Sequence, residues 1–153
     1  MVRMLDTMIL RYFERVGLLG PLLALPNLAV TTSVRRELKR WDALSARVDA
    51  AVQHNELAVH DVAPDNQTEA TLYFFYRERD GFGDGEATSM AVACNRGFAF
   101  VSHDLAAAAK MRGLGVNVLD WQDLLAELRD SGAISPSQHA QALREVRGLL
   151  RGR

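Results

Sequence analysis

Short apolar runs alternate along this chain with longer segments whose apolar residues recur at helical spacing. Val2-Arg-Met-Leu5 is the first such run, and Asp6-Thr7 follow it directly. Met8, Ile9, Tyr12, Phe13 and Val16 then recur every three to four residues, which predicts strand, turn and helix with Asp6 at the strand's carboxyl end. Gly17, Gly20, Pro21 and Pro26 punctuate a short helical stretch before a second strand at Leu28-Ala-Val30. Thr31-Thr-Ser33 offer N-caps for a helix carrying Val34, Glu37, Leu38 and Trp41, and the pattern continues as helix from Asp42 to His54.

Further strands are predicted at Leu57–Val62, Phe98–Val101 and Val116–Leu119. A helix opening at Pro64-Asp65 and running to Asp80 follows the third strand. Gly81-Phe-Gly-Asp-Gly85 is the strongest loop signal, and Glu86 begins a helix that Gly97 ends. An alanine-rich helix follows Ser102-His103-Asp104, and two last helices cover Gln122–Arg129 and Ser137–Leu150. Strands alternating with helices imply an α/β fold with a mostly parallel five-stranded sheet flanked by helices on both faces. No repeat or linker interrupts the pattern, so one domain over 1–153 is expected, with 122–153 part of it.

Composition narrows this picture. At 153 residues, 48% hydrophobic and 24% charged, the chain falls outside the disordered, collagen-like and fibrous classes. A lone Cys94 cannot form an internal disulfide, and His54, His60, His103 and His139 make no zinc-spaced cluster. The longest apolar stretch, Val16 to Val30, is broken by glycines and prolines, and Arg3 and Asp6 interrupt the N-terminal run. No membrane span or signal peptide is therefore expected, and a cytoplasmic location is. The net charge of −1 hides local extremes: +3 over Arg35–Arg47, −6 over Glu56–Glu86 and +3 over Arg129–Arg153. Such basic surfaces suit nucleic acid or a partner protein, and they equally suit solvated helix faces.

Candidate chemistry gathers at the strand ends, where open parallel sheets bind ligands. Asp6 follows strand one, Asp104 follows strand four, Glu86 opens the helix before strand four, and Glu37 lies on the helix after strand two. Four converging carboxylates repel one another unless a cation joins them, and oxygen ligands favour Mg²⁺ or Mn²⁺. Each acid also has a purely structural reading. Asp6 and Asp104 suit N-caps, Glu86 suits a first helical turn, Glu37 suits an exposed pair, and Asp84 suits a turn or a water-mediated metal contact. Gly81–Glu86 is no dinucleotide loop, because no strand precedes it, and Met8 stands where a haloacid-dehalogenase-type phosphatase needs its second aspartate.

The ordered set Leu5-Asp6-Thr7, Glu37 behind Thr31-Thr-Ser-Val-Arg-Arg, Gly85-Glu86-Ala87 and Val101-Ser-His-Asp104 resembles the PIN-domain family over nearly the whole chain. The similarity is greatest to bacterial VapC-like toxins. His103 and Asp120-Trp121 depart from the pattern, which has an acid or amide at the first place and often Gly-Thr at the second. The resemblance implies a PIN-like three-layer sandwich and a Mg²⁺- or Mn²⁺-dependent endoribonuclease with Asp6, Glu37, Glu86 and Asp104 as its acidic quartet. Asp6, Glu86 and Asp104 would hold the metal, with Ser102 and Asp84 in support. Arg35, Arg36, Lys39 and Arg40 are the expected RNA-binding residues, with Lys110 and Arg112 behind them. A homodimer and a small antitoxin protein are the expected partners, and Phe74-Phe-Tyr76 is either core or dimer face. The competing readings are a non-catalytic PIN-like module that binds RNA or protein, and a metal-dependent phosphatase or DNA nuclease using the same site.

Overall fold

A computed structural model of the chain describes residues 1–151. Its elements run β1 (Arg3–Leu5), α1 (Thr7–Arg15), α2 (Leu19–Leu23), β2 (Leu28–Val30), α3 (Thr32–Leu38), α4 (Asp42–Gln53), β3 (Ala58–Val59) and α5 (Gln67–Phe74). A π-helical turn (Phe75–Arg79) then leads to α6 (Asp84–Arg96), β4 (Ala99–Val101), α7 (Leu105–Gly113), β5 (Val118–Leu119), α8 (Trp121–Asp130) and α9 (Pro136–Arg151). The strands form one sheet in the order β3-β2-β1-β4-β5, and every pairing is parallel. The chain thus steps outward from β1 to β3, then crosses back to lay β4 against the free side of β1.

Side-chain alternation divides the core. Leu5, Val30 and Val101 point to one face, where α1, α2, α4, α8 and α9 cover them with Ile9, Phe13, Leu22, Leu44, Trp121 and Val146. Met4, Ala29 and Phe100 point to the other, under Met90 and Ala91 of α6, Met111 of α7 and Tyr76 of the π turn. Helices therefore cover both faces, giving a three-layer α/β sandwich. Each fully buried Leu, Ile or Phe contributes about 1.5–3 kcal/mol.

Several elements depart from the sequence pattern for tertiary reasons. The helix expected to run on through Trp41 stops at Leu38. Trp41 adopts extended backbone (φ −125°, ψ 94°) as the N-cap of α4, with its ring between the guanidinium groups of Arg11 and Arg40. The helix expected from Pro64-Asp65 starts at Gln67, because the Asn66 side chain caps it by accepting from the Glu69 N–H at 3.1 Å. Its last turn widens where the Asp80 N–H reaches the Phe75 carbonyl at 2.9 Å, an i to i−5 bond that drives Tyr76 into the core and leaves Phe74 and Phe75 exposed. The third strand is only Ala58–Val59, since Asp61 turns away to accept both the N–H and hydroxyl of Thr32 at 2.6 Å. Among the described residues no helix is long and apolar enough to cross a membrane. Arg153 of the basic tail lies outside the described residues.

Candidate functional site

The reversal of strand order falls between β1 and β4, and the first residues beyond these two strands carry the candidate chemistry. The Asp6 N–H donates to the Val101 carbonyl at 3.0 Å, so the β1–β4 ladder delivers Asp6 to the crevice. As the N-cap of α1, its Oδ1 accepts from the Thr7 N–H at 2.8 Å, while Oδ2 accepts from the Ser102 hydroxyl at 3.1 Å. Ser102, buried just past β4, accepts in turn from the Asp104 N–H at 3.1 Å. Asp104 caps α7 through the Ala107 N–H at 2.9 Å. Both aspartates thus fill their capping roles and still turn toward one cavity of about 150 Å³, lined by Asp6, Met8, Tyr12, Glu86, His103 and Asp104.

Glu86 completes this group from the first turn of α6. Burial, followed by the negative charges of neighbouring Asp6 and Asp104, pushes its carboxyl up to about 9. Burial also raises Asp6, with the charge of Glu37 adding to it, against hydrogen bonds from Glu86, Thr7 and Ser102. Carboxylates this close share protons when no cation is among them. Among the described residues no group of three His, Cys, Asp or Glu side chains is set to hold a metal ion. Their chemistry still suits a hard cation, since three carboxylates line the cavity and no lysine or arginine does.

Glu37 stands behind the cluster as a brace. Its Oε2 accepts from the Thr7 hydroxyl at 2.6 Å and its Oε1 from the Gly85 N–H at 2.8 Å, so it ties together the chain neighbours of Asp6 and Glu86. Gly85 is required by this contact, since a Cβ there would lie 2.6 Å from Glu37 Oε1. Thr7 and Gly85 are positioning residues that spacing alone did not single out; their adjacency to Asp6 and Glu86 is the signal that finds them.

Asp84 turns elsewhere. It accepts from the Ser33 hydroxyl at 2.6 Å and from the Tyr73 hydroxyl, with Arg77 4.0 Å away. Burial pushes its carboxyl up, but the two hydroxyls, Arg77 and Arg36 together hold it below the ordinary range. Asp84 is thus held by Ser33, Tyr73 and Arg77 and is not among the residues lining the carboxylate cavity. The basic candidates also disperse. Arg35 pairs with Asp49 at 2.9 Å, Arg36 faces Asp84, Arg40 lies 4.0 Å from the Trp41 ring centroid, and Lys39 is exposed. Lys110 pairs with Asp80 at 2.8 Å, and Arg112 is exposed.

The two departures from the expected pattern are partners of each other. Trp121 Nε1–H donates to His103 Nδ1 at 3.2 Å, which fixes His103 in the Nε2–H tautomer at the cavity wall. Tyr12 packs edge-on to the same imidazole, 6.0 Å between centroids. No protein-family model and no curated protein matches the chain.

Proposed function

We propose that the protein is a Mg²⁺- or Mn²⁺-dependent endoribonuclease, hydrolysing phosphodiester bonds at the cavity between β1 and β4. The observation that carries this reading is the meeting of Asp6, Glu86 and Asp104 from three distant segments at the sheet's topological switch point. Asp6, Glu86 and Asp104 are the residues that would hold the ion. When bound, it supplies charge for the phosphate and activation of water. The chain's own part is positional. Ser102 links Asp6 to the Asp104 backbone, Glu37 sets the spacing of α1 against α6, and His103 presents an Nε2–H donor at the rim.

The resemblance to VapC-like proteins carries the remainder: a toxin of a toxin–antitoxin pair, dimeric and held inactive by its antitoxin, in the cytoplasm. Phe74 (59% exposed) and Phe75 (42%) offer an apolar surface for such contacts. A non-catalytic binding module is the second reading, favoured by the absence of a ready-made metal group among the described residues.

Calorimetric titration of Mn²⁺ into wild type and Asp6→Asn, with cleavage of a mixed-sequence RNA in Mn²⁺, separates the two. The nuclease reading expects metal binding and cleavage that the substitution removes. Equal cleavage by wild type, Asp6→Asn and Asp104→Asn would sink it, and RNA binding without cleavage in wild type would establish the module.

A further inference from the structure

A second cavity, about 250 Å³, opens beside the carboxylate cavity and is lined by Met8, Arg11, Tyr12, Arg15, Trp41 and Leu149. Met8 and Tyr12 belong to both, so the two spaces share a wall. They meet along one face of α1, because Met8, Arg11, Tyr12 and Arg15 recur at i, i+3, i+4 and i+7. At 1.5 Å per residue, Arg11 lies about 7.5 Å and Arg15 about 13.5 Å along the helix axis from Asp6. The carboxylate cavity thus borders a space lined by two arginines.

The far end is built around Trp41. The Arg11 guanidinium lies 4.7 Å and that of Arg40 4.0 Å from its ring centroid, and the ring is half-buried. Stacking on indole holds a guanidinium flat and leaves its N–H edge free to meet an oxyanion. Arg11 also bonds Glu14 Oε1 at 2.5 Å, which orients it without covering the groove. Arg15 is exposed and has no carboxylate partner among the described residues' ion pairs.

From this geometry we infer that Arg11, Arg15 and the Arg-stacked Trp41 form a subsite for the single-stranded RNA flanking the phosphate at the carboxylate cluster. Arg11 and Arg15 hold successive backbone phosphates. Trp41, whose ring carries the Arg11 and Arg40 guanidinium groups, lines the groove beside them and fixes the cations that meet the strand. The basic stretch after β2 therefore contributes through Arg40 and its neighbour Trp41, with α1 supplying the other cations. The assignment rests on the nuclease reading for its substrate, but its test does not require turnover.

The test is binding of a fluorescein-labelled 12-nucleotide oligouridylate to the full chain in EDTA, followed by anisotropy, with Trp fluorescence as a second readout. Trp121 is buried, so quenching on binding reports Trp41. Each phosphate contact on a single strand adds about 0.7 to the slope of log affinity against log salt, so two add about 1.4. Between 50 and 200 mM salt, wild type should lose about sevenfold more affinity than Arg11→Gln/Arg15→Gln. Arg129→Gln, which removes a cation elsewhere, should leave the slope unchanged. Equal slopes for wild type and the double variant, no Trp quenching, no binding at all, or duplex RNA bound as tightly as the single strand would each overturn the subsite. Binding with these signatures but no cleavage in Mn²⁺ would uphold the subsite and defeat the nuclease reading.

Discussion

Two carboxylate sites in this protein are treated in opposite ways: Glu69 is fully buried, whereas the switch-point cluster runs from buried Asp6 through half-buried Glu86 to exposed Asp104. Glu69, fully buried on α5, accepts from Nε and Nη2 of Arg96 at 3.0 and 2.7 Å, from the Asn95 amide at 2.9 Å and from the Ala63 N–H at 2.9 Å. Burial alone would raise its carboxyl, but these donors bring it down to about 2. Asp6 and Asp104 have hydroxyl and backbone donors, no lysine or arginine among the described residues lines their cavity, and Glu86 is pushed up to about 9. The α5–α6 network completes its own charge balance and serves the fold. The cluster at the switch point leaves its balance open, and an incomplete charge balance is what a binding site for positive charge requires.

The strongest way to break this comparison is to remove a carboxylate from the open cluster. Asp6→Asn is expected to lower Mn²⁺-dependent RNA cleavage by about 10³-fold or more, measured under single-turnover conditions. The same variant, free of metal, should resist urea better than wild type, because one of the repelling charges is gone.

Removing the cation from the closed network should have the reverse effect on stability. Arg96→Leu leaves Glu69 buried without its charge partner, and a loss of about 3 kcal/mol in urea unfolding is expected, with metal binding untouched. A loss below 0.5 kcal/mol would show that the remaining donors suffice.

Gly85→Ala probes the brace between the two. Its Cβ would displace the Glu37 carboxylate from Gly85 and Thr7, weakening Mn²⁺ binding about tenfold while costing about 1–2 kcal/mol of stability. Unchanged calorimetric affinity would separate Glu37 from the cluster.

Acid and base titration give the smallest and broadest readout. The Glu69 contribution is present above its ordinary value of 4.5 and is lost as pH falls toward about 2. Glu86 has the opposite sign: its contribution is present below 4.5 and is lost as pH rises toward about 9. Thermal melts in EDTA should therefore show stability falling on both sides, with Glu69→Gln flattening the acid limb and Asp6→Asn flattening the basic one. Saturating Mn²⁺ should lift the basic limb; melts that do not change with Mn²⁺ would count against a cation at the cluster.

Much of the architecture was legible because it rests on local pattern. Leu28–Val30 reads as a strand from composition and flanking signals and is one, and Gly97 ends α6 in the left-handed conformation (φ 69°) that glycine favours. Asp6, Glu86 and Asp104 were placed at strand and helix ends by the same local logic, and the parallel topology then brings them to one cavity. What stayed hidden depends on contacts between distant segments. No glycine or proline marks the break before Trp41; its ring is held by Arg11, thirty residues earlier. Asp84 and Glu86 look equivalent in sequence, yet two residues of helix turn them by about 200°, one toward Ser33 and Tyr73, the other toward Asp6. Arg35 and Arg36 part for the same reason, since adjacent helical residues point about 100° apart, one to Asp49 and the other toward Asp84.

The central place of β1 carries a consequence for synthesis. β1 needs both β2 and β4 as neighbours, and Asp6 meets Ser102 and Asp104 only when β4 is laid beside it. Nearly a hundred residues separate the first carboxylate from the last, which at about 5–20 residues per second is roughly 5–20 s of translation. Throughout that interval the cluster is incomplete, with Glu86 joining the chain only eighteen residues before Asp104. A chain that stops before β4 lacks both Asp104 and the strand that seats Asp6 beside Ser102.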